Sequence, residues 1–312
     1  MHDPEVETLI GGPARVAWED IVRHPRLPQA RKLYLDRFLD VYDGDPFLVR
    51  LLIESGRIIL YLLIVALEAA QDPARRETWL TIGRLKQHMA MFGMASGRHV
   101  DHLVARLCAV GFMEQRPAAQ DRRVRILAPT EQLRAHDRDW LAAHYAPLTV
   151  LYPKHDYGPI MRRDPDFQAL HRNESVPFLS LGAKLILAVP DMTLFLERAG
   201  GYMVIAALLR TAMDQPDDPH AAIPYGEVGD RFGVSRTHVR KLLNAAEERG
   251  LVKLHARGGH RVEILPRLWA SHDRGISSGM YLHDIIYLAT LRQWQPAQRR
   301  AQATDRVRSS SA

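Results

Sequence analysis

The feature that most constrains the fold of this chain is a pattern written twice. Around position 96 it reads SGRHVDHLVARLCAVGFM, and around position 235 it reads SRTHVRKLLNAAEERGLV. Ser96, His99, Val100, Leu103 and Gly111 return as Ser235, His238, Val239, Leu242 and Gly250 at one constant offset. Further along, Arg123-Val-Arg-Ile-Leu is answered by Arg261-Val-Glu-Ile-Leu, and His136-Asp137-Arg138 by His272-Asp273-Arg274. Upstream, an apolar helix from Phe47 through Glu54 to Leu67 has a weaker counterpart from Leu194 through Glu197 to Leu209. Unrelated amphipathic helices lose register within a few turns. Order and spacing kept over about 110 residues per copy therefore predict one supersecondary unit in tandem duplication.

Each copy reads the same way. After the apolar helix comes a loop rich in Asp and Pro (Asp72-Pro73; Pro216 to Pro219), then a short helix, Ile82 to Met91 or Tyr225 to Phe232. A turn containing Gly93 or Gly233 leads to a longer helix. Ser96 or Ser235 opens it, a hydroxyl that can cap the free amides of the first turn, and Gly111 or Gly250 ends it. Apolar and polar residues then alternate on both sides of a loop, which is the signature of a β-hairpin. A final helix follows, Thr130 to Tyr145 or Met280 to Trp294. This is the order of a winged helix-turn-helix. The expectation is a mainly α fold with small β-hairpin wings, in which two tandem winged helix-turn-helix domains form a pseudo-dimer. The expected parts are an N-terminal segment (1–28), a first unit (29–150), a second unit (160–295) and a basic, disordered tail (296–312).

Charge locates the candidate interface. The chain of 312 residues carries a formal net charge of +6, but four arginines of the tail (Arg299, Arg300, Arg306, Arg308) against Asp305 account for half of it. In the second long helix Val239, Leu242, Leu243 and Ala246 form the apolar stripe. The opposite face carries Arg236, Thr237, Arg240, Lys241 and Asn244 beside Ser235 and His238, with Arg257, His260 and Arg261 on the hairpin behind it. The helix N-terminus attracts phosphate, and Arg and Asn match guanine and adenine edges in the major groove. Basic residues on a helix face often serve solubility alone; their place on the helix that a helix-turn-helix inserts into DNA favours contact. The first long helix is less basic, offering Ser96, Arg98, His99 and His102, with Arg98 and Asp101 cancelling. Its charge sits on the hairpin, where Arg116, Arg122, Arg123 and Arg125 surround Asp121, suited to backbone or minor-groove contact. The second copy is expected to read bases and the first to hold phosphates.

From His99 to Glu131 the run HVDHLVARLCAVGFMEQRPAAQDRRVRILAPTE resembles the recognition helix and wing of the MarR family of bacterial transcription regulators. The resemblance rests on Arg106-Leu107, Gly111, Glu114, Arg116-Pro117, Asp121-Arg122-Arg123 and Leu127-Ala128-Pro129. It implies that Asp121 orients a wing arginine, Arg123, toward the minor groove. It also implies a dimer-like contact between the two units and a small-molecule effector, although no constellation identifies one. The glycine usual after the strand exit is missing, and the second copy lacks the Asp-Arg-Arg. Two units facing across a pseudo-two-fold axis would place their reading helices about 34 Å apart on double-stranded DNA.

Other signals are weaker. His99 and His102 share a helix face, but no acid or cysteine joins them at ligand spacing, so no metal is expected. Cys108, the single cysteine, reads as core filling rather than a redox sensor. His136-Asp137-Arg138 and its repeat point to surface or inter-copy salt bridges. No Gly-rich phosphate loop, G-x-S-x-G or paired-carboxylate spacing appears, so neither enzymatic activity nor a cofactor is expected. The most lipid-like run, Ile58 to Leu67, is about half the roughly 20 residues that span a bilayer and reads as a buried helix. With no secretory signal recognised, a cytoplasmic, membrane-free protein is expected, and a further homodimer is compatible with these features. Two other functions stay open: a tandem winged-helix plasmid replication initiator, and a winged-helix scaffold that binds protein.

Overall fold

The computed structural model describes residues 4–43, 45–53, 56–93, 96–215 and 217–310, without the side chains of Pro46 and of residues 295–310. The chain is mainly helical, with two small antiparallel sheets among these residues. Helices α1 (Pro4–Ile10) and α2 (Trp18–Val22) precede α3 (Leu27–Asp40), α4 (Pro46–Leu52), α5 (Arg57–Ala69), α6 (Ile82–Ala90) and α7 (Gly97–Ala109). Strands β1 (Met113–Pro117) and β2 (Arg125–Pro129) form a hairpin, followed by α8 (Glu131–Leu151) and α9 (Gly158–Met161). The second half runs α10 (Pro165–Ser175), α11 (Leu179–Leu187), α12 (Pro190–Leu196), α13 (Gly201–Asp214), β3 (His220–Ala221), α14 (Tyr225–Phe232) and α15 (Arg236–Glu248). It ends with β4 (Val252–Leu254), β5 (Val262–Ile264) and α16 (Pro266–Ser310).

Three expectations change. The apolar helix expected from Phe47 to Leu67 is two helices, α4 and α5, and its counterpart is α12 and α13; residues 54, 55 and 216 lie outside the described residues. Both breaks end on a left-handed glycine, Gly56 (φ 72°) and Gly200 (φ 58°), a conformation costly for any residue with a Cβ. The last helix starts at Pro266, not Met280, because a proline directly after the strand exit is pre-set for the first helical turn. Its backbone stays helical to Ser310, so the tail expected to be disordered is drawn into α16, as the helix propensity of its Ala, Gln and Arg residues allows. The third change is one of register. Thr130 N–H donates to Phe112 O at 2.9 Å, and Leu265 N–H donates to Leu251 O at 3.0 Å, so these two strand exits correspond. The shared Arg-Val-x-Ile-Leu motifs are then three residues out of step, and Arg261 matches Ile126 rather than Arg123. A shift of three residues exchanges the two faces of a strand, so the matching residue types mislead here and only the pairing gives the register.

The two halves interlock. Helix α3 of the first packs on α8 and on α13 of the second, while α10 of the second packs on α16 and on α5 of the first. One apolar core runs through both, and α5 buries nearly its whole length from Ile59 to Leu67. Each such Leu or Ile contributes about 1.5–3 kcal/mol of transfer free energy. Charged pairs cross the seam reciprocally: Arg172 of α10 meets buried Asp137 of α8 at 2.5 Å, and Arg31 of α3 meets Asp273 of α16 at 2.8 Å. The aspartate of each repeated His-Asp-Arg trio therefore bridges the two halves. The N-terminal segment is tied to α16 by Arg15–Asp284 (2.6 Å) and by Trp18 Nε1 donating to Ser278 Oγ (3.0 Å). Among the described residues no single helix is long and apolar enough to cross a membrane.

Candidate nucleic-acid interface

Serine caps start both long helices as the spacing predicts. Ser96 Oγ accepts from His99 N–H at 3.3 Å and Ser235 Oγ from His238 N–H at 3.1 Å. The apolar stripes face inward: Val100, Leu103, Val104 and Leu107 on α7, and Val239, Leu242, Leu243 and Ala246 on α15, are all buried. Periodicity then forces Arg236, Thr237, Arg240, Lys241 and Asn244 outward, and all five are exposed. His99 and His238 are the exceptions. Both are half-buried, and His238 Nε2 is shielded from solvent without a hydrogen-bond partner, so the His238 ring packs rather than reaches outward.

The exposed face of α15 opens onto a groove of about 570 Å3 whose other wall is the β4–β5 hairpin. Arg236, Thr237, Arg240 and Asn244 line one side; His255, Arg257 and Gly258 line the other, with Tyr225 of α14 also in its wall. The hairpin comes this close because of Gly259 (φ 84°), whose hypothetical Cβ would stand 2.1 Å from Ile223 O. Ile223 N–H donates to Gly259 O at 2.7 Å, fixing the tip. Arg261 and His260 are exposed on the same hairpin, with Arg261 Nη2 3.2 Å from His220 Nδ1. Tyr225 escaped sequence reasoning, since a first-turn residue of the preceding helix carries no charge signal. Burial pushes its hydroxyl pKa up, and it stays a neutral donor.

The first half places its charge differently. Its hairpin is braced by a small cluster of Trp79, Ala118 and Ile126, and Arg116, Arg122, Arg123 and Arg125 are exposed around it. Asp121 accepts from the backbone N–H of Arg123 at 3.1 Å, closing the turn, but its ion pair is with Arg76 at 3.3 Å. The carboxylate thus shapes the wing backbone instead of holding the Arg123 side chain, as the resemblance had implied. On α7 the expected cancellation of Arg98 by Asp101 is replaced by a Lys86–Asp101 pair at 2.7 Å. Lys86 lies on α6, one helix earlier, beyond the reach of a single-helix reading. Arg98 and His102 are exposed. Cys108 is half-buried against the core, and burial raises its pKa, which disfavours the thiolate.

Between the halves lies an apolar cavity of about 240 Å3 lined by Tyr34, Phe38, Leu62, His144, Tyr202 and Met280 among others. Burial pushes the pKa of His144 well below the usual imidazole range and that of His272, also on its wall, down to about 3, so both rings are neutral. Comparison of the chain with family models, with curated proteins and with solved structures finds no match.

Proposed function

We propose that the chain is a sequence-specific, double-stranded DNA-binding transcription regulator of the cytoplasm, built as two winged-helix units in one chain that together act as a pseudo-dimer. One observation carries the reading: the groove between α15 and the β4–β5 hairpin, walled by Arg236, Arg240 and Arg257 with Asn244 among them. Guanidinium and amide groups on one helix face offer paired donors and acceptors to base edges, and the hairpin arginine adds a phosphate contact. The reciprocal packing of α3 on α13 and α10 on α5 supports the pseudo-dimer, and the exposed Arg122 and Arg123 support a MarR-like wing. The apolar cavity at the seam is the place for an uncharged effector, since a charged ligand would meet only neutral histidines and tyrosines there.

The test is binding of purified full-length chain to DNA selected from a random pool, with the salt dependence measured. Enrichment of one sequence and a steep fall of log K with log salt, as release of counterions from several phosphates requires, is the expected result. A salt slope near zero would overturn direct DNA binding. In cells, occupancy at a few promoters is expected; peaks confined to one replication origin would instead favour the initiator, and no enrichment the protein scaffold.

A further inference from the structure

The outer face of the β3–β5–β4 sheet gathers side chains of metal-binding chemistry from three places in the sequence. His220 and Glu263 are direct cross-strand partners, as are Ala221 and Val262. Val262, Ala221 and Val252 point into the core, so pleat alternation turns His220, Glu263 and Lys253 to the other face. His255 continues the ladder two residues beyond Lys253, its N–H donating to Arg261 O at 2.9 Å, and lands on that same face. One ligand atom each from His220, His255 and Glu263 lie within 4.8 Å of one another. His255 Nε2 stands 2.7 Å from Glu263 Oε2, and the two imidazole rings meet edge to face at 4.7 Å.

We propose that His220, His255 and Glu263 form a binding site for a divalent transition-metal ion of the zinc class, with a fourth position open to water. Two imidazoles and one carboxylate are a sufficient protein ligand set for such an ion, and imidazole nitrogen selects it over magnesium or calcium. Asp218 supplies the supporting contact. Its carboxylate lies 3.1 Å from His220 Nδ1 and accepts the His220 backbone N–H at 2.9 Å. A carboxylate on one ring nitrogen leaves the other to the metal and raises its basicity.

Ligand atoms around a tetrahedral zinc stand about 3.3 Å apart, so closing the site takes side-chain rotations of about 1 Å on a fixed ladder. Two cations oppose it: Arg261, whose Nη2 is 3.2 Å from His220 Nδ1, and Lys253 opposite Glu263. Both are exposed on long stems and can swing into solvent, while Glu263 and Asp218 balance them in charge. Among the described residues the first half holds no such site, because its sheet has Ala128 opposite Glu114, where the second has Glu263 opposite Lys253.

The experiment uses chelator-stripped, full-length protein titrated with Zn2+ against a chromophoric competitor, and with Co2+ followed by visible absorption. One equivalent is expected to bind, with affinity lowered at least tenfold by His255→Ala and by Glu263→Gln. Asp218→Asn is expected to cost about tenfold, as removal of an outer partner does. His255 is exposed and Glu263→Gln keeps its shape, so unchanged thermal unfolding separates ligand loss from misfolding. Absence of stoichiometric binding, or binding indifferent to His255→Ala and Glu263→Gln, overturns the site. DNA affinity does not enter this measurement, so failure here leaves the regulator reading untouched, and success does not depend on it.

Discussion

Across the seam the two halves repeat each other: α3 on α13 answers α10 on α5, and Arg31–Asp273 answers Arg172–Asp137. On the outer faces they part. Helix α15 displays Arg236, Arg240 and Lys241 beside a hairpin groove, whereas α7 has its Asp101 taken up by Lys86 and leaves its charge to Arg116, Arg122, Arg123 and Arg125 on the wing. Exposed faces are where the two matching patterns are free to diverge. A substitution at the seam disturbs close packing and a buried charge, while one on an exposed face changes stability little and can change what is bound.

Even at the seam the repetition is chemical rather than quantitative. Burial alone would raise the Asp137 carboxyl, but Arg172 and the hydrogen bonds from Gln168 and Tyr61 outweigh it and hold the pKa below the usual carboxylate range. For Asp273, burial wins over Arg31, and the pKa is raised. The first pair has more hydrogen bonds to the same carboxylate.

Acid should break the seam before it touches the outer faces, and this is the largest effect expected. His144, His171, His272 and His283 are buried neutral, with His272 held at about 3 and His283 at about 4. Below an unfolded value of about 6.5 the unfolded chain takes up protons that the folded chain refuses, so stability falls from pH 6.5 toward 4. Between pH 6.5 and 5 the loss is roughly 2 kcal/mol per histidine before coupling, read as a falling urea midpoint. A midpoint flat over that range would show that these rings are charged or exposed.

The contrast between the two crossing ion pairs comes next. Asp137→Ala strands Arg172 in the core and is expected to cost about 3–5 kcal/mol; Asp273→Ala, at a pair still touched by solvent, about 1–2 kcal/mol. Equal losses in urea unfolding would erase the distinction. On the outer faces, Arg236→Glu with Arg240→Glu is expected to lower specific DNA affinity about 100-fold and flatten sequence preference. Arg122→Glu with Arg123→Glu should weaken all sequences about tenfold with preference kept. The opposite ranking in a binding assay would reverse the roles assigned to the two halves. The smallest effect concerns the caps: Ser96→Ala and Ser235→Ala should each cost about 1 kcal/mol in thermal unfolding, alike in both copies because both make the same bond to the residue three ahead.

The order of helix, turn, helix and hairpin around α7 and α15, both serine caps, the inward stripes and the exposed faces of these two helices were legible in the sequence, because each depends on neighbours within a few residues; α3 and α10, which carry the seam, were not. Three readings failed for one shared reason. Pairing of Asp101 with Lys86, of Asp121 with Arg76, and of the hairpins in their actual register depends on elements that sequence distance does not bring together. The left-handed breaks at Gly56 and Gly200 fall in the short polar stretches Glu54-Ser-Gly-Arg57 and Glu197-Arg-Ala-Gly-Gly201, which a reading guided by the apolar residues on either side runs through as one helix.

Sequence by itself determined that one helical pattern is written twice, which apolar stripe of each long helix is buried, and which of the two exposed helix faces is the more basic. Tertiary structure alone decided that the aspartates of the repeated His-Asp-Arg trios are bridged across the seam, that a cavity opens between the halves, and that His220, His255 and Glu263 share one face of a sheet. Helical periodicity is a local property of the backbone, whereas a contact between residues tens of positions apart exists only once the intervening chain has folded back on itself.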